Sequence, residues 1–319
     1  MTGLLPFKER LKKACHQFQG RLGLADSDDP RALSVAQQLL SEGTAGQVAL
    51  YTPQAETLAL AAAHGIDLGP VRDRLVWAHP HDAPLSVADR VRLAAEHLAA
   101  GKLDAVLGGN VATTADVIRA GIKKVGLTPG IKTVSGAFIM HRPGQGTVPE
   151  TTYLFADCGV VIAPTSEQLV DIAAAAVSTW RELQPHVPPV VAFLSFSTKG
   201  SAHHPAQAQV AEAAARFQTL RPDVVSDGEL QFDAAIVPDI ARRKAPGSAV
   251  AGLANCFIFP DLNAGNIGYK MAQRLGGFEA FGPILQGLRK PLNDLSRGAT
   301  VNDMMASAYI SLNRAANLR

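Results

Sequence analysis

Short apolar runs alternate with amphipathic helical stretches along almost all of the 319-residue chain, and this alternation constrains the fold more than any other feature. The runs QVALY, LDAVLGG and VVAFLSF are largely apolar, so each is expected to be a strand covered on both faces. Helical patterns separate such runs, among them residues 31–42, 167–183 and 205–220. The turn DSDDP supplies a helix start, with Pro30 in the first turn. Strand and helix repeated in this order imply parallel sheets with helices on both sides, an α/β fold class. At this length two three-layer α/β/α domains are expected. The Pro/Gly-rich stretch HRPGQGTVPETT has little periodicity, and the domain crossing is placed there, near Met140.

Composition removes several function classes. Hydrophobic residues make up 47% and charged residues 18%, a folded globular profile and not a disordered one. A net charge of +2 provides no field that would steer the chain toward nucleic acid or a membrane. No stretch is long and apolar enough to span a bilayer, and the charged start lacks a signal-peptide core, so a cytoplasmic protein is expected. Cys15, Cys158 and Cys256 are odd in number and far apart. They read as reduced thiols, since neither a disulfide framework nor a Cys-rich metal site has that pattern.

In open sheets of this kind ligands sit at strand carboxyl ends, and four segments there are unusual. SFSTKGSAHHP ends a β-like run in Ser197, Thr198, Lys199, Gly200 and Ser201 just before a helix. Hydroxyls, an ammonium and backbone N–H groups at that point make a natural anion site, though the P-loop spacing is absent. His203 and His204 have no carboxylate or thiol at ligand spacing, so no metal is expected. In SDGELQFDAAIVPDIARRKAPGS, Glu229 and Asp233 are paired carboxylates suited to acid–base work or, equally, to pairing with Arg242, Arg243 and Lys244. IFPDLNAGNIGYK places Asn263 among small residues where a ligand can approach. Finally, Ser296 and Arg297 crowd a turn, while Thr300 and Asp303 read as a capping box that opens the last helix.

Taken in order, these segments resemble phosphotransacetylase, the phosphate acyltransferase family. STKGSA, DGELQFDAAIVP, KAPGSAVAG, ANCFIFPDLNAGNIGYKMAQRL and GPILQGLRKPLNDLSRG are similar to that family's blocks almost continuously over residues 190–298. YLFADCG and DSDDPRAL extend the likeness more loosely. The resemblance implies reversible transfer of an acetyl or other short acyl group between coenzyme A and inorganic phosphate, giving acyl phosphate. Coenzyme A would be a substrate, with no metal or redox cofactor. It further implies an isocitrate/isopropylmalate dehydrogenase-like architecture, a cleft between the domains and a homodimer. The last helix would return to the first domain, giving 1–140 with 299–319, and 141–298.

The same resemblance assigns catalytic roles to Ser296, Arg297 and Asp303. It places a further active-site arginine at Arg119, in the helix that follows the GG-type loop within GGNVATTADVIRAG. Ser197, Thr198, Lys199, Gly200 and Asn263 would bind substrate. The residue types suit the chemistry: a carboxylate in a partly dry cleft takes a thiol proton, and guanidinium forks hold phosphate oxygens. One departure stands out. The family's basic LRKHKG segment has no counterpart in LVWAHPHDAPLSVADRVRLAAE, where Arg90 and Arg92 read as part of an ordinary amphipathic helix. That loss leaves open a propionyl or butyryl preference, or a non-catalytic, regulatory descendant. A decarboxylating dehydrogenase of the same architecture would need an acidic metal cluster and a nucleotide loop, and neither is seen in the sequence.

Overall fold

The computed structural model describes residues 6–79, 85–145, 149–250 and 252–318. Most of the expected Pro-broken loop HPHDAP falls at 80–84, outside the described residues. The chain runs α1 (Phe7–Phe18), β1 (Arg21–Leu24), α2 (Pro30–Ser41), β2 (Gln47–Leu50), α3 (Gln54–Ala63), β3 (Leu75–Trp77), α4 (Val87–Ala99), β4 (Ala105–Gly108) and α5 (Thr114–Ala120). It continues through β5 (Ser135–Arg142), β6 (Thr151–Ala156), α6 (Ser166–Leu183), β7 (Val190–Leu194), α7 (Pro205–Leu220), β8 (Val225–Leu230), α8 (Phe232–Ile236) and α9 (Pro238–Lys244). β9 (Cys256–Ile258), α10 (Leu262–Leu275), β10 (Glu279–Gln286), β11 (Leu292–Asp294) and α11 (Val301–Asn317) complete it.

Contacts divide the chain into two units, Met1–Leu127 with Leu288–Arg319, and Thr128–Gly287. The first holds a fully parallel sheet in the order β11-β4-β1-β2-β3. Leu22, Leu24, Val48, Leu50 and Leu107 from its strands pack with Leu33 and Leu39 of α2 and with Met304, Ala308 and Leu312 of α11. Each large apolar side chain buried this way contributes about 1.5–3 kcal/mol. Asp29 caps α2 by accepting the Arg31 N–H, and Pro30 occupies the first helical position, as the DSDDP reading anticipated.

The second unit holds the sheet β10-β5-β6-β9-β7-β8. It is mixed, which corrects the expectation of parallel sheets throughout: β10 and β6 both run antiparallel to β5. The connection from β5 to β6 spans only residues 143–150, too short for the helical crossover that parallel pairing needs. Pairing also corrects the boundaries. Met140 lies inside β5, opposite Tyr153 and Ala280 of the second sheet, so the chain has crossed before it. β11 pairs with β4, so Ser296 and Arg297 belong to the first unit and not to the second.

Candidate active site

Because the first sheet is parallel, the carboxyl ends of its strands share one edge, and the loops leaving β11, β4 and β1 lie side by side there. Asp26, just beyond β1, folds the loop after β4 around itself. Its Oδ2 accepts backbone N–H groups from Gly109 at 2.8 Å, Val111 at 3.0 Å and Ala112 at 3.0 Å. Gly109 has φ +102, and a Cβ there would collide with Asp294 Oδ1 and the Leu295 backbone, so only glycine fits. Asp294 ends β11, and its Oδ2 accepts the hydroxyl of Thr114, the first residue of α5, at 2.6 Å.

Arg31 ties the next turn to this frame. Its Nη1 donates to the carbonyls of Arg297 at 2.8 Å and Ala299 at 2.6 Å, while Asp29 holds the other side of the guanidinium through Nε and Nη2. Asn110 Nδ2 donates to Asp29 Oδ2 at 3.0 Å. Burial pushes the Asp29 carboxyl up, but the bonds from Arg31 and Asn110 outweigh it and hold the group below the ordinary range. Such charge-assisted, bidentate bonding is the strong kind, so the Ser296–Arg297 turn is fixed through its backbone.

With its carbonyl held, Arg297 is left exposed, and so is Ser296, whose Oγ accepts the Gly298 N–H at 3.2 Å. Asp303 sits in the first turn of α11. Its Oδ2 accepts from the Thr300 N–H at 2.9 Å and from the Thr300 hydroxyl at 2.7 Å, completing the expected capping box. It is exposed. Arg119, at the far end of α5, is also exposed and pairs with Asp116 at 2.6 Å. Ser296, Arg297, Asp303 and Arg119 thus all belong to the first unit, three of them in or just beyond the segment after β11.

Sequence reasoning missed three parts of this edge. Arg31, Asp26 and Asp294 look like members of ordinary polar turns, and only strand order reveals that they meet. Arg90 is the other surprise. It is buried, and its Nη2 reaches Asp28 in the β1–α2 turn at 2.6 Å, whereas Arg92 pairs at the surface with Asp89 and Glu96.

In the second unit the STKG loop differs from the expected open anion cradle. Glu229 Oε1 accepts the Ser197 hydroxyl at 3.0 Å and the Gly200 N–H at 2.8 Å, and the Gln231 N–H reaches Thr198 Oγ1 at 3.0 Å. Ser197, Thr198 and Gly200 therefore shape the loop. Lys199, with φ +50, reaches Asp227 and the Gly228 carbonyl while its side chain stays 41% exposed. The paired carboxylates divide: Asp233 pairs with Lys244 at 2.9 Å, and Glu229 serves the loop. Asn263 is exposed in the first turn of α10. All three cysteines are buried and free, and burial pushes the thiols of Cys158 and Cys256 well above the ordinary value. No cluster of three or more His, Cys, Asp or Glu suited to a metal occurs among the described residues.

These features define a two-unit α/β protein whose exposed serine, arginines and carboxylate gather on one parallel-sheet unit. The family model described as phosphate acetyl/butaryl transferase matches residues 72–312. A phosphate acetyltransferase from Paracoccus denitrificans is 40% identical over 312 residues, covering 95% of this chain and 97% of that protein. The crystal structure of a phosphotransacetylase from Streptococcus pyogenes superposes with a TM-score of 0.86 at 35% identity, covering 98% of each chain. A 4-hydroxythreonine-4-phosphate dehydrogenase from Klebsiella pneumoniae shares the fold alone, with a TM-score of 0.58 at 13% identity, over 93% of this chain and 99% of that one. The chain belongs to the phosphate acetyl/butyryl transferase family.

Proposed function

We propose that this protein is an acyltransferase that moves an acetyl or other short acyl group between coenzyme A and inorganic phosphate. The observation that carries the reading is the Ser296–Arg297 turn: its backbone is clamped by Arg31 while both side chains stay exposed at the strand ends, in a chain of this family. Running from acyl phosphate, Asp303 accepts the thiol proton of coenzyme A. The thiolate attacks the acyl carbonyl, the new C–S bond forms, and phosphate departs with the electrons of the C–O bond. Arg297 and Arg119 hold the phosphoryl oxygens, and Ser296 donates a hydrogen bond to the tetrahedral centre or the leaving oxygen. Coenzyme A is a substrate, and no step calls for a metal or redox group. Lys199 and Asn263, both exposed, are assigned to substrate binding, with Ser197, Thr198 and Gly200 setting the loop that presents Lys199.

A homodimer is part of the same reading. Ile267, Met271 and Leu275 of α10 recur four residues apart and are 56%, 55% and 82% exposed, an apolar stripe suited to a second copy of the chain. No helix among the described residues is long and apolar enough to cross a membrane; a cytoplasmic setting is part of the same proposal. The test is a panel of acetyl-, propionyl- and butyryl-CoA assayed with phosphate. Phosphate-dependent thioester cleavage is expected, greatest with one chain length. Its absence with all three would leave the non-catalytic reading.

A further inference from the structure

Two buried carboxyl groups beneath the Ser296–Arg297 turn have no part in the chemistry above. Asp26 and Asp294 are 1% and 4% exposed, and the Oδ1 atom of each lacks a hydrogen-bond partner among the described residues. Both abut Gly109: Asp26 Oδ2 accepts its N–H, and Asp294 Oδ1 occupies the space a Cβ would need. Their other bonds are unequal. Asp26 Oδ2 takes three backbone N–H groups, whereas Asp294 takes only the Thr114 hydroxyl.

The neighbouring charges are already matched. In the β1–α2 turn Asp28 pairs with Arg90 and Asp29 with Arg31; on α5, Asp116 pairs with Arg119. On α11 Asp303 faces its own cap, and β4 contributes no charged side chain. Arg297 is the cation of the turn itself. Two adjacent buried anions without a cation of their own would oppose an anionic ligand at that turn.

We propose that Asp294, buried beside Asp26, gains a proton when a phosphate-like anion binds at the Ser296–Arg297 turn, so that anion binding there is coupled to proton uptake. The proton comes from solvent. The inference rests on reading that turn as the phosphate site. Burial pushes the Asp294 carboxyl up to about 6, with the charge of Asp26 adding to the shift. A bound anion raises it further, so the protein takes up a proton on binding at neutral pH.

Infrared difference spectra of the wild-type protein across a pH titration test the protonated group without any ligand. A protonated carboxyl that persists above about pH 5, where ordinary aspartates are ionised, and titrates near 6 is expected. Its absence would overturn the proposal whatever the binding data show. Binding is then measured by calorimetry with sulfate, whose charge is constant over this range, in buffers of different ionisation enthalpy. Wild-type protein should take up a fraction of a proton per sulfate at pH 7 and bind about five- to tenfold more weakly at pH 8 than at pH 5. The Asp294→Asn protein should show neither effect. Equal proton uptake in both proteins, or none in the wild type, would overturn the coupling. A wild type that shows the titrating carboxyl but binds no sulfate would contradict the assignment of the turn as an anion site, and with it the coupling, while leaving the carboxyl pair intact.

Discussion

The Arg31 guanidinium donates a 2.8 Å hydrogen bond to the backbone carbonyl of Arg297, joining residues that lie at opposite ends of the chain. Together with the Ala299 carbonyl and Asp29, it fixes the turn that presents Ser296. Arg31→Ala should therefore cost about 1–3 kcal/mol of stability and lower acyl transfer on the order of tenfold. Arg31→Lys should regain part of the stability and little of the rate, because an ammonium cannot serve Asp29 and two carbonyls in one plane. Thermal unfolding and steady-state kinetics check this; full activity in the lysine variant would contradict it.

Asp294 gives a stability prediction with an unusual sign. Its folded-state pKa of about 6 lies above the ordinary 3.8, so the unfolded chain releases this proton first as pH rises. The native state loses stability through that window and does not regain it above 6. An amide at this position has no such loss. Asp294→Asn should gain roughly 2–3 kcal/mol relative to wild type between pH 4 and pH 8. Urea unfolding at both pH values measures it; an unchanged difference would contradict the raised pKa.

Arg90 is the arginine of α4 that reaches the strand-end turn, through Asp28. Asp28 is partly exposed, so Arg90→Met should cost less than about 1 kcal/mol of stability. The KM for phosphate should nonetheless rise several-fold, because the β1–α2 turn supports the clamp on Arg297. An unchanged KM would assign Arg90 to packing alone.

The α10 stripe predicts association. Met271→Asp places a charge in the middle of Ile267, Met271 and Leu275, and sedimentation should shift from dimer to monomer. A wild-type protein that sediments as a monomer would contradict the homodimer.

Strand and helix alternation made the α/β class legible, and the DSDDP and Thr300–Asp303 signals located two helix starts, because both are local patterns. The β10 and β11 strands were not legible. GPILQ carries no strand pattern that assigns it before it pairs with β5, and Leu292–Asp294 is only three residues long. The Thr300–Asp303 capping box was legible as a local pattern, but the loops that carry Asp26 and Asp294 are brought side by side only by the order β11-β4-β1, which no local pattern encodes. The STKG loop has partners that sequence does not display for the same reason. Its donors look free in sequence, yet Glu229, from the neighbouring strand β8, accepts them.

The most direct test follows purified protein with acetyl-CoA and phosphate, measuring free thiol and acyl phosphate together. The account predicts that the two appear in equal amounts, only when phosphate is present. It also predicts that Asp303→Asn and Arg297→Gln, folded as judged by circular dichroism, lose turnover by about a hundredfold or more. Thiol release without acyl phosphate, or near-normal rates in both variants, would contradict it.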